Sequence, residues 1–221
     1  MNFFSYSDNS PLLFTQLYFW IFFLVVLFFY CFMKKEKVST HLYLFAISVF
    51  FYYKSSGSFV FLLLLITCLD YLFGEWIFSF ESKKARKTIL TIGVTINLLF
   101  LAYFKYTYFF IDLLNTYCGF NIQRGNYLAA FANISFGTHF SIDKIILPVG
   151  ISFYTFQALS YLVDVYRRRI KQRPSFIDFA FYLSFFPQLV AGPIVRADTF
   201  LPQLKQPYSL SCRIRTARSI S

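Results

Sequence analysis

Long uncharged apolar runs, separated by short clusters of basic residues, make up most of the chain. The run from Asn9 to Met33 exceeds the roughly 20 residues that a helix needs to cross the hydrocarbon core of a bilayer. No basic segment precedes this run and no small-residue cleavage site follows it, as a secretory signal would require. We therefore predict a transmembrane helix here and not a cleaved signal peptide.

Three further apolar runs follow in the first half of the chain. Val38–Tyr53 is short and needs aromatic and basic anchors at the interface to span a bilayer, whereas Ser55–Phe80 is long enough. Thr88–Phe104 is the next span, and the amphipathic aromatic residues behind it are typical of a segment in the membrane interface. We interpret residues 115–143, the least hydrophobic stretch, as an external loop.

The second half holds two more runs, Ile145–Ile170 and Ser175–Arg196. The latter contains Pro187, Gly192 and Pro193, which interrupt helical hydrogen bonding. Irregular backbone at membrane depth is tolerated only where protein or a water-filled cavity covers it. The pattern therefore predicts an all-α polytopic membrane protein with five to six membrane segments, including a broken or re-entrant helix near the C-terminus.

Composition supports this fold class. Apolar residues make up 57% of the chain, aromatic residues 24% and charged residues only 14%. A soluble domain has more charge and fewer aromatic side chains. Phe and Tyr supply bulk for lipid-facing and interfacial positions. We therefore expect the chain to contact membrane lipid.

The 21 basic residues exceed the 10 acidic ones, and their positions decide what this excess means. They border apolar runs instead of forming one solvated face, so the pattern excludes a nucleic-acid partner. It is the positive-inside pattern of a cytoplasmic (inner) membrane protein, and it predicts an N-terminus outside because two spans separate successive clusters. The three clusters are Lys34, Lys35 and Lys37; Lys83, Lys84, Arg86 and Lys87; and Arg167, Arg168, Arg169, Lys171 and Arg173.

The fifth run carries a polar stripe on an otherwise apolar helix that starts or kinks at Pro148 and Gly150. Its members recur at spacings of three and four and should face protein or water. Asp164 has two interpretations: an ion pair with Arg167 or Arg168, or a wall of a polar cavity. The stripe consists of Gln157, Ser160, Tyr161 and Asp164.

Four other polar residues lie in or beside apolar runs. Gln188 and Arg196 flank the predicted breaks, where they either cap exposed carbonyl groups or contact a ligand. Asp70 and Glu75 lie inside the third run, and acids at such depth are functional, hydrogen-bonded between helices, or directed toward the surface.

The sequence offers no catalytic base that we can assign. Serine or cysteine catalysis needs a histidine in reach, and the chain has only His41, at the start of a short run, and His139, in a loop. Phosphate loops, metal-ligand spacings and cysteine pairs are missing, so we predict neither a metal site nor a cofactor.

Two motifs resemble the membrane-bound O-acyltransferase (MBOAT) family, in its alginate O-acetyltransferase branch. They are LPVGISFYTFQALSYLVDVYR at Leu147–Arg167 and FIDFAFYLSFFPQLVAGPIVR at Phe176–Arg196. NLLFLAYFKYTYFF at Asn97–Phe110 is similar to a segment of the same branch. The resemblance covers roughly residues 10–204, which we interpret as the N-terminal part of an MBOAT-type membrane domain.

The resemblance implies transfer of an acyl group from a cytoplasmic donor to a hydroxyl of an extracytoplasmic polysaccharide, with an acyl-handling protein as a further partner. It also implies a funnel between the helices, and Gln157, Asp164, Gln188 and Arg196 are the residues we expect to line and bind there. In the family a later histidine activates the acceptor hydroxyl by general-base chemistry.

That later region has no counterpart in this sequence. Residues 205–221 form a polar, basic tail that departs from the family, as expected of a truncated gene, a frame change or a partial sequence. Neither His41 nor His139 occupies the missing motif, so no catalytic residue is assigned and we expect the chain alone to be inactive. The alternative function is a non-catalytic membrane fragment or an assembly partner.

Overall fold

Helices make up all the regular structure in the part of the chain that is described. The computed structural model describes residues 17–32, 37–123, 125–136, 142, 145–193 and 195–204. His139 and the tail at 205–221 therefore lie outside the described residues. The helices are α1 (Leu17–Phe32), α2 (Lys37–Ser56), α3 (Val60–Ser79), α4 (Lys83–Cys118), α5 (Tyr127–Phe136), α6 (Ile151–Tyr166), α7 (Phe176–Ser184), α8 (Phe186–Ala191) and α9 (Ala197–Leu204), with a 3₁₀ turn at Gly57–Phe59 between α2 and α3.

Two helical segments, Thr40–Ser79 and Lys83–Cys118, are long and apolar enough to cross a membrane. Phe19–Cys31 and Phe176–Leu189 are shorter apolar segments. Large apolar side chains point outward from several helices, as Leu24 (64% exposed) and Phe61 (70% exposed) do. Such a surface suits contact with lipid. The helices are therefore consistent with a membrane protein, and the number of spans stays a prediction.

Two details differ from the sequence-based expectation. The aromatic segment behind Phe104 is not a separate interfacial piece, because α4 runs without a break through 36 residues. At about 1.5 Å per residue, α4 is about 54 Å long, well beyond the roughly 30 Å of a hydrocarbon core. The predicted external loop contains a helix, α5, whose start is capped by Asn126 Oδ1 accepting from the Ala129 amide at 3.0 Å.

Helices α6 and α7 occupy the centre of the bundle. α6 packs against α3 and α4, α7 packs against α2, and α9 contacts both central helices. Every α7 residue from Phe179 to Ser184 is 3% exposed or less. Beyond its first turn, this helix is therefore enclosed by protein, in keeping with its mostly apolar sequence.

Glycine permits the close contact of α6 with its neighbours. A Cβ atom at Gly74 of α3 would collide with the Tyr161 hydroxyl and lie 2.7 Å from Tyr161 Cε1. A Cβ atom at Gly93 of α4 would lie 2.9 Å from Leu162 Cδ1. Small residues at such crossings let helix backbones approach closely in membrane proteins.

Contacts with other helices stabilise both ends of α6. At its start, Gly150 has φ +71°, and a Cβ atom there would lie 2.9 Å from the Leu189 carbonyl oxygen of α8. At its end, the buried Arg86 of α4 donates from Nη2 to the carbonyl oxygens of Val165 (3.3 Å) and Tyr166. Carbonyl groups at a helix end lack helical partners, so this guanidinium caps α6.

Helix ends that carry the predicted basic clusters lie together. Arg86, in the second cluster, contacts the end of α6 just before the third cluster begins. His41, near the start of α2, bonds to Asp178 at the start of α7, just after the third cluster. The positive-inside interpretation requires this arrangement. The side of the membrane on which this end lies stays a prediction.

We predict that Arg86→Met lowers the free energy of unfolding by about 2 kcal/mol, because two carbonyl groups at the end of α6 lose a charged donor. Denaturant unfolding in detergent micelles, followed by circular dichroism, measures this change. Lys87→Ala is the matched control, since Lys87 is exposed on the same helix turn. Equal stability of the two variants would contradict the capping role.

Candidate functional site

The sixth apolar run is a broken helix, as predicted. It divides at Phe185 into α7 and α8, and Gly192, directly after α8, has an extended backbone. Pro187 lies in the first turn of α8, where its missing amide hydrogen is not needed. A break inside a bundle frees backbone groups, and these must find other partners.

Side chains satisfy the freed carbonyl groups. Gln157 Nε2 of α6 donates to the Tyr182 carbonyl oxygen at 3.0 Å. The Tyr182 hydroxyl in turn donates to the Val195 carbonyl oxygen at 3.0 Å. Within the described residues, Gln157 therefore caps the Tyr182 carbonyl group at the break. The sequence suggested Gln188 or Arg196 for this role.

Gln188 and Gln157 meet across the break. Gln157 Nε2 lies 3.5 Å from Gln188 Oε1, so the contact is a weak hydrogen bond. Gln157 is fully buried, and its Oε1 has no hydrogen-bond partner among the described residues. An unsatisfied buried acceptor of this kind is free to bind a donor from water or from a ligand.

Asp164 pairs with arginines other than those expected from sequence spacing. Its fully buried carboxylate accepts from Arg196 Nη2 at 3.2 Å and from Arg169 Nη1 at 3.5 Å. The expected partners at Arg167 and Arg168 are wrong, because α6 ends at Tyr166 and Arg168 adopts a left-handed conformation with φ 57°. The chain thereby turns so that Arg169 faces back toward Asp164.

We call Gln157, Asp164, Gln188 and Arg196 the polar seam. The structure joins these four predicted residues in two pairs, Gln157 with Gln188 and Asp164 with Arg196, along one side of α6. The predicted stripe is only partly kept, because the Tyr161 side chain lies against Gly74 of α3. Whether the seam binds a ligand is still a prediction.

A cavity of about 350 Å³ adjoins the charged end of the polar seam. Arg169 contributes to both the cavity wall and the Asp164 ion pair. The sequence analysis missed this cavity, since its wall combines the loop before α7 with α9, which are distant in sequence. The polar wall includes Arg169, Lys171, Asp178 and Asp198, and the apolar wall includes Ile170 and Leu201.

His41 has a carboxylate partner that no local pattern indicates. Its Nδ1 lies 2.7 Å from Asp178 Oδ1, and both side chains are 15% exposed or less. The His41 ring also stacks on Phe181, with centroids 6.3 Å apart and planes 9° apart. Ser175 Oγ accepts from the Asp178 amide at 3.2 Å, which caps α7 and holds the carboxylate in place.

The two acids of the third run have different roles. Asp70 accepts a hydrogen bond from Asn97 Nδ2 at 2.6 Å, as expected for an acid bonded between helices. Glu75 forms an ion pair with Arg173, with Oε2 and Nη1 3.6 Å apart. Neither acid takes part in the hydrogen bonds of the polar seam.

The described contacts of the polar seam are suited to recognition of polar groups. Amide groups of Gln157 and Gln188 can accept from or donate to hydroxyls, and the half-exposed guanidinium of Arg196 can donate to anionic or carbonyl oxygens. The described hydrogen bonds of the seam include neither a cysteine nor a histidine.

Comparison with known proteins shows relatives over part of the chain. "Probable alginate O-acetylase AlgI" of Pseudomonas aeruginosa is 38% identical over 121 residues, 54% of this chain and 20% of that relative. The protein of the same name from Azotobacter vinelandii is 38% identical over 115 residues, 52% of this chain and 20% of that protein. Over about half of its length, the chain is related to MBOAT-like O-acetyltransferases.

A more distant relative extends the MBOAT-like match. "Peptidoglycan O-acetyltransferase" of Helicobacter pylori is 29% identical over 195 residues, 77% of this chain and 34% of that protein. The matches thus span only about a fifth to a third of the relatives' own length. No protein-family model and no solved structure matches the chain.

We predict that Arg196→Ala lowers the free energy of unfolding by about 2 kcal/mol, because it leaves the Asp164 carboxylate buried with only the longer Arg169 contact. A fully buried pair would lose roughly 3–5 kcal/mol, but Arg196 is half-exposed and water screens it. Asp164→Asn in the same chain removes the buried charge and should restore most of the loss. Denaturant unfolding of the four chains of this double-mutant cycle measures the coupling.

The control for this cycle is Arg167→Ala, which removes an exposed neighbour that the structure does not pair with Asp164. We expect its stability to lie within about 0.5 kcal/mol of the parent. A larger loss for Arg167→Ala than for Arg196→Ala would contradict the observed pairing.

Proposed function

We propose that this chain forms the N-terminal part, over residues 1–204, of a membrane-bound O-acetyltransferase that modifies a polysaccharide. The enzyme transfers an acetyl group from an activated donor to an acceptor hydroxyl, and the polar seam forms part of the wall that binds the reacting groups. The observation that supports this proposal is the broken helix α7–α8, whose interruption brings Gln188 and Arg196 against Gln157 and Asp164 of α6.

We assign the binding role to this region because burying its polar groups costs folding free energy. A fully buried carboxylate and a buried amide with an unsatisfied oxygen destabilise an apolar bundle, and a binding role would explain why they are there. Polar groups of this kind inside membrane helices usually mark substrate pathways. The adjoining cavity of about 350 Å³ has the size of a small-ligand pocket.

The relatives supply the reaction class and the acceptor class. Their names, alginate O-acetylase and peptidoglycan O-acetyltransferase, both denote transfer of acetyl groups to sugar polymers. We extend this class to the present chain and place it in the cytoplasmic membrane with its N-terminus outside. The donor would be delivered at the end of the bundle that carries the basic clusters, by a soluble or membrane-bound acyl-handling protein.

General-base activation of the acceptor hydroxyl needs a group with free access to that hydroxyl. His41 is the histidine within the described residues, and its contact with Asp178 lies at the start of α7, at the opposite end of that helix from the break and from the Gln157–Gln188 pair. We therefore assign the polar seam to binding and orientation, and assign the base to a later part of the full-length enzyme.

A chromosomal Gln188→Leu variant tests this function. We expect ester-linked acetyl groups on the cell-surface polysaccharide to fall at least about tenfold, the consequence of losing roughly 1.4 kcal/mol of transition-state stabilisation. Mild alkaline release followed by acetate quantification measures these groups. An immunoblot of the membrane fraction normalises each value to the amount of protein present.

The matched control is Arg167→Ala, which changes an exposed residue near the charged end of the polar seam. It should leave polysaccharide acetylation at the parental value. Unchanged acetylation in Gln188→Leu cells, at parental protein level, would exclude a role for the polar seam and favour the non-catalytic alternative.

A further inference from the structure

Asp70 of α3 and Asn97 of α4 meet in the interior of the bundle, away from the hydrogen bonds of the polar seam. Asp70 is fully buried and Asn97 is 2% exposed. Asn97 Nδ2 donates to Asp70 Oδ1 at 2.6 Å and to the Gly93 carbonyl oxygen at 3.0 Å. Because this nitrogen has an acceptor for each of its two hydrogens, the orientation of the Asn97 amide is defined.

Two oxygen atoms of this pair have no described partner. They are Asp70 Oδ2 and Asn97 Oδ1, and both are buried. If the carboxyl group were ionised, both atoms would be acceptors without a donor, and the charge would rest on a single hydrogen bond. No basic side chain among the described residues forms a salt bridge with Asp70. An ionised group in this setting is strongly disfavoured in an apolar medium.

A proton on Asp70 Oδ2 removes the buried charge and turns one of the two acceptors without a partner into a donor. The protonated oxygen becomes a donor, and the partner it needs is the free Oδ1 of Asn97. A metal cation is a poorer match, because hard cations take about six or more oxygen ligands. Within the described residues no group of three or more His, Cys, Asp or Glu side chains could hold a metal ion.

We propose that Asp70 is a proton-binding site. Its carboxyl group stays protonated in the folded protein and forms, with the carboxamide of Asn97, a ring of two hydrogen bonds that joins α3 to α4. One bond is the Nδ2 to Oδ1 contact already present, and the other runs from the Asp70 Oδ2 hydroxyl to Asn97 Oδ1.

The position of this ring gives it a structural consequence for the centre of the bundle. Gly74 lies one turn after Asp70 and contacts Tyr161, and Gly93 lies one turn before Asn97 and contacts Leu162. The ring therefore holds together the two helices against which α6 packs. Glu75, the next acid on α3, is paired with Arg173.

Infrared spectroscopy of the full chain in detergent micelles at neutral pH tests the proposal. We expect the parent to show a carbonyl band of a protonated carboxylic acid that shifts in D₂O, and Asp70→Asn to lack it. Glu75→Gln is the matched control and should retain the band. A parental spectrum without such a band overturns the proposal, whether or not any variant folds. A band that appears only when sodium is withdrawn also overturns it, since a cation would then occupy the site.

Thermal unfolding of the same chains provides a second readout. Asp70→Asn keeps a donor and an acceptor in the ring, so its melting temperature should remain within about 2 °C of the parent. Asp70→Ala leaves the Asn97 amide unsatisfied and should melt about 5 °C lower. If Asp70→Asn melts as low as Asp70→Ala, the ring is excluded.

Discussion

The requirement that buried backbone groups be hydrogen-bonded controls the centre of this protein. The sixth apolar run breaks at Phe185, and its freed Tyr182 carbonyl is bonded by the Gln157 side chain. Tyr182 then uses its own hydroxyl for the Val195 carbonyl beyond α8. Since residues 179–184 of α7 are almost completely buried, protein groups have to provide these bonds, and the side chains of Gln157 and Tyr182 do so.

Helix α6 is suited to this task because its two sides have different chemistry. Toward α3 and α4 it presents Tyr161 and Leu162, which pack where Gly74 and Gly93 have no side chain. Toward α8 and α9 it presents Gln157 and Asp164. The close glycine contacts position α6 and thereby direct its polar groups toward the break. A ring between Asp70 and Asn97 would reinforce this by joining α3 and α4.

Many charged residues lie at one end of the bundle. Hydrogen bonds and ion pairs between them and other elements offset the repulsion between the basic side chains there. Arg86 caps α6, Arg173 pairs with Glu75, and His41 pairs with Asp178. Each contact joins elements that are remote in sequence. The cavity at this end of the bundle has side chains of both signs of charge in its wall.

Apolar run length, proline and helical spacing are local properties, so the helical class, the interruption near Pro187 and the candidate residues Gln157, Asp164, Gln188 and Arg196 could be predicted from the sequence. Local patterns did not predict that α4 is continuous or that α5 exists. Membrane-spanning helices, interfacial helices and loops of this kind have similar amino-acid compositions. The ion-pair partners required the folded structure: Asp164 pairs with Arg196 and Arg169, and His41 pairs with Asp178. The Asp164 pairs depend on how the chain turns after Tyr166. The His41–Asp178 pair depends on contact between helices whose paired residues are 137 positions apart in sequence. A local sequence pattern contains neither kind of information.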